Sequence, residues 1–190
     1  MSLPEKGSPA LPPDWRGRAY LALDFETTGL DPKLDRVVEI GAIRFRVGED
    51  GKALEEGRIS ACVDPCMPIS PAARAVNGIS DEELVGAPLF SDFALPLLEL
   101  GAGATIVAHN APFDLAFLRE ELARSGLPEA PNEVLDTRHL AKAAFPARRG
   151  YRLTHLASDL ALDTGRAHRA LDDARTCMAL FMVCAGMLDS

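Results

Sequence analysis

The chain of 190 residues lacks several features that would assign it to common classes of protein. No window is long and apolar enough to span a membrane, and the N-terminal segment has no apolar stretch of the kind found in signal peptides. The four cysteines do not have zinc-finger spacing. Because there is no export signal, we expect reduced thiols in a cytoplasmic setting. Two of them, Cys177 and Cys184, lie on one helical stripe and are expected to be buried.

An excess of positive charge is also absent. The net charge of −8 argues against nonspecific coating of nucleic acid. The charge is unevenly distributed, however. Between Arg138 and Arg175 there are eight basic and four acidic residues, a net charge of +4, which leaves −12 on the rest of the chain. A solvated face of two helices would explain this segment, and so would contact with phosphate groups, for which Arg148 and Arg149 in the loop FPARRGYR are the candidates.

Length and hydrophobic periodicity predict one folded domain over residues 18–190, without internal repeats, preceded by a proline-rich, disordered tail over residues 1–17. Three antiparallel strands followed by a strand–helix–strand unit predict an α/β fold with a mixed central sheet flanked by helices. The predicted strands are 18–25, 36–47, 57–63, 105–108 and 134–135. The predicted helices are 70–76, 80–84, 89–100, a helix capped by Asn110 that runs to about residue 124, 137–144, 153–160 and 170–188.

Carboxylates recur at positions where the apolar pattern predicts a buried side chain. Asp24 and Glu26 share one face of the first strand, because side chains two residues apart point the same way. Asp114 lies on the inward stripe of a helix, in the first turn, where the helix dipole alone would also favour an acid. Asp173 falls within the apolar stripe of the last helix, whereas Asp172 falls outside it. Buried acids need a compensating partner, and a divalent metal ion is the usual one.

A histidine stands next to the last of these acids. His168 precedes the last helix, after Gly165, Arg166 and Ala167, on a loop that is expected to move over the site. A histidine beside a metal-binding acid cluster suggests proton transfer, although a surface position is the alternative. Two metal ions about 4 Å apart can stabilise both the entering and the leaving oxygen at a phosphodiester. The residues therefore predict metal-dependent phosphodiester hydrolysis.

Three short motifs resemble those of a known family. DFETTGL, HNAPFD and HRALDDA, in this order, resemble the three motifs of the DEDD exonuclease superfamily, in its branch with a motif-three histidine. The segments DTRHLAKAAFP and LTHLASDLAL also resemble the DNA polymerase III epsilon type. The resemblance covers the chain from Arg18 onwards. It implies a ribonuclease H-like fold and a 3′→5′ exonuclease that releases nucleoside 5′-monophosphates with two divalent ions, Mg²⁺ or Mn²⁺. Single-stranded 3′ ends of DNA are the expected substrate, and RNA or short oligoribonucleotides are the alternative.

The resemblance also implies a role for each acid. Asp24 resembles the carboxylate that bridges the two metal ions. Glu26 and Asp173 resemble the ligands of the ion that holds the attacking water. Asp114 resembles a ligand of the second ion, and His168 resembles the general base.

Substrate contacts follow from the same resemblance. Backbone near Thr27 is expected to hold the terminal sugar, and Asn110 is expected to orient the site. Asn77 stands where many epsilon-like members have histidine, which is expected to change end binding without removing the chemistry. Two other functions remain open: a proofreading subunit that mainly binds DNA polymerase subunits, and a phosphohydrolase of small nucleotides. Because the chain ends at Ser190, we expect no polymerase-binding extension and favour a stand-alone or weakly associated enzyme.

Overall fold

The computed structural model describes residues 11–162, 165 and 168–189. In this part of the chain, five strands and their flanking helices confirm the predicted α/β class. The elements are β1 (Ala19–Thr27), β2 (Val37–Val47), β3 (Ala53–Cys62), α1 (Pro71–Asn77), a 3₁₀ turn (Asp81–Leu84), α2 (Phe90–Gly101), β4 (Thr105–Ala108), α3 (Pro112–Arg124), β5 (Val134–Asp136), α4 (Thr137–Ala144), α5 (Leu153–Asp159) and α6 (Ala170–Leu188).

The sheet has the strand order β3-β2-β1-β4-β5. β2 pairs antiparallel with both β1 and β3, whereas β4 pairs parallel with β1 and β5 pairs parallel with β4. β3 begins at Ala53, four residues before the predicted start, because the turn after β2 pairs Val47 directly with Ala53. That end of β3 is an exposed edge, so its side chains do not show the apolar alternation that the prediction used.

Both faces of the central strand β1 are covered by helices. On β1, Leu21, Leu23 and Phe25 pack towards α2 and α3, whereas Tyr20 and Ala22 pack in a second cluster beneath α4 and α6. This alternation agrees with the strand period of two. The acids that continue the Ala22 face therefore point towards α6. Within the described residues, no helix has the length and apolar character needed to cross a bilayer.

The expected disordered tail is wrong for residues 11–17. Trp15 is 3% exposed and its ring meets Phe181 edge to face, with centroids 6.4 Å apart. The Tyr20 hydroxyl donates to the Trp15 carbonyl at 2.8 Å, and Arg16 pairs with Asp189 at the end of α6. Burial of one large aromatic ring outweighs the proline-rich composition here. Residues 1–10 lie outside the described residues.

The predicted N-cap of α3 is also wrong. Asn110 has φ +70°, and the capping position is taken by Ala111 without a side-chain hydrogen bond. The Asn110 backbone N–H instead donates to Asp136 Oδ1 at 3.0 Å, which ties the end of β4 to the end of β5. Its side chain therefore remains free of the helix and turns towards the neighbouring α4, where Arg138 Nη1 donates to its Oδ1 at 3.1 Å.

Candidate active site

The site forms where β1 runs past its shorter neighbour. β4 pairs with β1 only as far as Ala22, so the last residues of β1 have β2 on one side and an open edge on the other. Asp24 and Glu26 lie in this last part, on the face that α6 covers, and both are partly buried. The strand period thus places the two carboxylates side by side at the end of the sheet, as predicted.

The open edge of β1 also holds the third acid. The Phe25 N–H, which has no strand partner on that side, donates to Asp114 Oδ1 at 3.1 Å. This bond fixes the first turn of α3 against the strand, and Asp114 is only 3% exposed. The inward position predicted for Asp114 is therefore the position that the structure shows.

The last helix brings the fourth acid and the histidine. Asp173 and His168 each offer a ligand atom that lies within 4.8 Å of the other and of a Glu26 oxygen. The His168 N–H donates to Asp173 Oδ2 at 2.9 Å, and His168 adopts φ +62°. Its predicted mobile loop includes Arg166 and Ala167, which lie outside the described residues.

Asp173 lines the same cavity as the other three acids, whereas Asp172 points elsewhere. The cavity measures about 410 Å³, and Asp172 is not among the described residues that line it. An Asp172 oxygen instead accepts from Arg175 at 3.1 Å on the surface of α6. The structure thus separates the two adjacent aspartates as the helical stripe predicted.

The four carboxylates hold their protons abnormally tightly. Burial raises the pKa of Asp24 well above its usual 3.8, and the charges of Asp114 and Asp173 raise this pKa further. Burial raises the pKa of Asp114 to about 8, against a lowering by the Phe25 N–H. Burial, then the charge of Asp173, raises the pKa of Glu26 to about 7, and burial also raises that of Asp173. A nearby positive charge would lower these pKa values, so the raised values show that no described cation fully compensates the four carboxylates.

This acid cluster fits a divalent metal ion. The possible ligands are carboxylate oxygens and one imidazole nitrogen, with no thiolate among them. Oxygen ligands of this kind favour hard divalent cations over soft metal ions. A bound cation would offset the repulsion that raises the pKa values. Asp24, Glu26, Asp114 and Asp173 are the residues that would hold it, with His168 beside them.

Another buried acid, Glu39, supports the site and was not predicted from the sequence. Glu39 on β2, opposite Glu26 in the ladder, is 4% exposed. Its Oε1 accepts from Arg169 Nη2 at 2.7 Å and from Nε at 3.0 Å, and its Oε2 accepts from the Ala170 N–H at 3.0 Å. Glu39 therefore fastens the segment next to His168 onto the sheet. An acid inside the apolar strand VVEIGAIRF was the available signal.

Close packing reinforces this fastening. Gly41 lies opposite Asp24, and a Cβ built on it would stand 2.0 Å from the Ala170 carbonyl oxygen. Only glycine leaves room for the start of α6 to approach β2 so closely. The start of α6 is thereby held near Asp24.

A second, more apolar cavity of about 530 Å³ adjoins Glu26. Thr27 and Asn77 both line it, together with Phe113 and Val76. The Asn77 side chain donates to the Thr27 carbonyl at 3.3 Å and accepts from a backbone N–H at 3.0 Å, so it is fixed in place. The structure therefore brings the two predicted end-binding residues together beside the acids.

The two arginines of the FPARRGYR loop that were predicted to contact phosphate do not line the acid cavity. Arg148 pairs with Asp159 and lies 5.2 Å from the centroid of the Phe145 ring. Arg149 is exposed. Among the described residues that line the acid cavity, neither Arg148 nor Arg149 occurs.

Comparison with known proteins matches the part of the chain that contains the site. A family model described as exonuclease (RNase_T) matches residues 21–181. The chain belongs to this exonuclease family. The matched range contains all four clustered acids and His168, so the family resemblance inferred from the three motifs is confirmed.

Individual relatives agree with the family. The chain is 41% identical over 165 residues to the DNA polymerase III subunit epsilon of Treponema pallidum, covering 86% of this chain and 74% of that protein. It is 35% identical over 164 residues to the 3′-5′ exonuclease DinG of Bacillus subtilis, where the match covers 86% of this chain and only 17% of DinG. A solved structure of exonuclease X with 5′-overhanging duplex DNA has a TM-score of 0.64 and 30% identity, with 88% and 90% of the two chains covered. The ribonuclease H-like fold is thereby confirmed.

Proposed function

We propose that this exonuclease domain removes nucleotides from the 3′ end of DNA and releases nucleoside 5′-monophosphates. The observation that carries the proposal is the convergence of Asp24, Glu26, Asp114, Asp173 and His168 on one cavity. The 3′→5′ direction is supported by the 3′-5′ activity in the name of the relative DinG. DNA as the substrate is supported by the duplex bound to exonuclease X.

Two divalent ions, Mg²⁺ or Mn²⁺, are the proposed cofactors. When bound, they neutralise the phosphate and activate water for attack on phosphorus. Asp24 would be the ligand shared by the two ions, as the family resemblance implies, and it lines one cavity together with Asp114, Asp173 and Glu26. Glu26 and Asp173 would serve the ion that holds the water, and Asp114 the other ion.

His168 is the proposed general base. Its ring atoms lie within 4.8 Å of ligand atoms of Glu26 and Asp173, so it can take a proton from a water held between them. The hydrogen bond from its N–H to Asp173 fixes the backbone of His168 to one of the proposed ligands. Glu39, through Arg169, holds the segment that carries both residues.

Thr27 and Asn77 are proposed to receive the terminal nucleotide in the adjoining apolar cavity. There the Thr27 backbone, fixed by the Asn77 amide, would contact the sugar. Phosphate contact by the FPARRGYR loop is proposed for Arg149, which is exposed, and for Arg148, which would have to leave its ion pair with Asp159.

Association with a DNA polymerase is a second candidate function. It is supported by the 41% identity to the epsilon subunit, 74% of which the chain covers. Pull-down with polymerase subunits tests it, and failure to retain any subunit would contradict it.

A cytoplasmic setting is a further proposal. It is supported by the four cysteines, which are all free thiols.

A substrate comparison tests the main proposal. Single-stranded DNA, duplex DNA and RNA of equal sequence, each labelled at the 5′ end, are digested side by side with Mg²⁺, Mn²⁺ or excess EDTA. We expect the single-stranded DNA to shorten stepwise from its 3′ end with either ion and to stay intact in EDTA. Faster digestion of RNA would reassign the substrate. Full activity in EDTA, or cleavage of a nucleoside triphosphate without any digestion of oligomers, would overturn the proposal.

A further inference from the structure

Most arginines of this chain are neutralised by a nearby acid. Twelve of the fifteen described arginines have a carboxylate oxygen within 4.0 Å. The three described arginines without such a partner among the described residues are Arg138, Arg149 and Arg152. In a chain of net charge −8, an arginine that is left without an acid is a notable exception.

Two of these three exceptions line the acid cavity. Arg138 lies at the start of α4 and Arg152 immediately before α5, and both border the space that the four acids share. The third, Arg149, is exposed in the loop that leads to Arg152. In the part of the chain that the structure describes, the arginines without an acid partner are therefore concentrated beside the proposed catalytic acids.

Arg138 is held by a neutral group. Its Nη1 donates to Asn110 Oδ1 at 3.1 Å, and its backbone N–H donates to Asp136 Oδ1 at 2.8 Å. The Asn110 N–H binds the same Asp136 oxygen, which fixes Asn110 in its φ +70° conformation. An amide oxygen orients the guanidinium without cancelling its charge, so its remaining N–H groups can bind an anion.

Arg152 is positioned by the residue before Asn110. His109 Nε2 lies 2.8 Å from the Tyr151 carbonyl, and Nδ1 lies 2.9 Å from the Thr137 hydroxyl. Burial lowers the pKa of His109, which favours the neutral ring. Because a carbonyl can only accept, Nε2 carries the proton and Nδ1 accepts from Thr137. His109 thus fixes the backbone next to Arg152, while Asn110 fixes Arg138.

We propose that Arg138 and Arg152 bind backbone phosphates of the nucleic-acid strand, on the 5′ side of the scissile bond. This inference rests on the proposed exonuclease function and adds a phosphate-binding pair to it. A polyanionic strand that enters a cavity lined by four acids needs positive charge besides that of the metal ions. Guanidinium groups bind phosphate oxygens in a bidentate manner, and these two are the cavity arginines that no described carboxylate neutralises.

Binding is measured by fluorescence anisotropy of a labelled single-stranded oligonucleotide with Ca²⁺, so that the readout does not depend on turnover. We expect Arg138→Ala and Arg152→Ala each to weaken binding about tenfold. Each should also lower the slope of log K against log salt by about 0.7. Arg58→Ala is the matched control, because Arg58 lies on the edge strand β3 at the opposite side of the sheet. Arg138→Lys keeps the charge without the planar fork and should give an intermediate affinity.

A neutral methylphosphonate linkage placed at successive positions from the 3′ end locates the contact. At the linkage that Arg138 binds, the substitution should weaken binding to the wild-type chain about tenfold and leave binding to Arg138→Ala nearly unchanged. Asn110→Gly, which tolerates the positive φ, should weaken binding about threefold by freeing Arg138. Equal losses in the wild-type chain and in both arginine variants at every linkage would overturn the proposal.

The outcomes separate this inference from the function on which it rests. Wild-type digestion of DNA with unchanged binding in both arginine variants would refute the arginine pair alone. The expected losses of binding without any digestion by the wild-type chain would refute the exonuclease function and retain the strand-binding pair. Melting curves of each variant show that the fold is intact, and Arg138→Lys serves as the second variant if Arg138→Ala does not fold.

Discussion

Glu26→Gln should stabilise the metal-free chain, and the gain should grow with pH. Burial and the charge of Asp173 raise the pKa of Glu26 from its usual 4.5 to about 7, so the folded chain binds this proton more tightly than the unfolded chain. The stability that the protonated carboxyl contributes is therefore complete below about pH 4.5 and lost as the pH rises through about 7. Glutamine mimics the protonated form at every pH.

The size of the gain follows from the difference between the two pKa values. Each unit corresponds to 1.36 kcal/mol, so the variant should gain up to about 3 kcal/mol at pH 8 and below about 1 kcal/mol at pH 5. For a chain of this length, 3 kcal/mol raises the melting temperature by about 6–12 °C. Glu26 pairs with Glu39 through the backbone ladder, but no described residue hydrogen-bonds its carboxylate, so the substitution removes charge without removing a side-chain hydrogen bond.

Thermal unfolding in EDTA at the two pH values measures this effect. Glu129→Gln is the control, because it removes the same charge from an exposed position. Added Mn²⁺ should reverse the order by stabilising the wild-type chain more than the variant, since the variant has lost a proposed ligand. A gain of equal size at pH 5 and pH 8, or no gain at pH 8, would refute the account of a crowded acid cluster.

Three further substitutions test separate parts of the site. Asp173→Asn should reduce turnover at least 10²-fold, whereas Asp172→Asn, which changes a side chain bound to Arg175 outside the acid cavity, should change turnover within a few-fold; equal losses would contradict the assignment. His168→Ala should lower the single-turnover rate by about 10²–10⁴-fold with Mn²⁺ affinity retained, and a near-normal rate would remove His168 from the mechanism. Glu39→Gln should cost about 1–3 kcal/mol of stability and lower the single-turnover rate about tenfold with KM little changed; an unchanged rate in the destabilised variant would make Glu39 purely structural.

The positions of the acids in the fold could be predicted because each side-chain direction is fixed by local periodicity. The strand period places Asp24 and Glu26 on one face, and the helical stripes separate Asp173 from Asp172 and turn Asp114 inward. These patterns need only the neighbouring residues. The strand and helix order, and hence the mixed sheet, followed from the same short-range signals.

The features that were missed depend on partners far along the chain. Glu39 binds Arg169, 130 residues away, and no local pattern announces that pairing. Asn110 was predicted to cap the helix because it precedes a helix that starts with proline. Instead, its N–H donates to Asp136 at the end of the next strand, and its side-chain oxygen accepts from Arg138 on the next helix. Trp15 was assigned to a tail by its proline-rich surroundings, although its ring packs on Phe181 of α6.

The central claim, that the acid cluster hydrolyses DNA from its 3′ end, is tested most directly through Asp24. Wild-type chain and Asp24→Ala are purified alike, and each is given 5′-labelled single-stranded DNA with Mn²⁺. The wild-type chain should shorten the strand stepwise and release nucleoside 5′-monophosphates, whereas Asp24→Ala should release almost none while still unfolding cooperatively. A near-wild-type rate in Asp24→Ala, or products that arise from the 5′ end, would contradict the account.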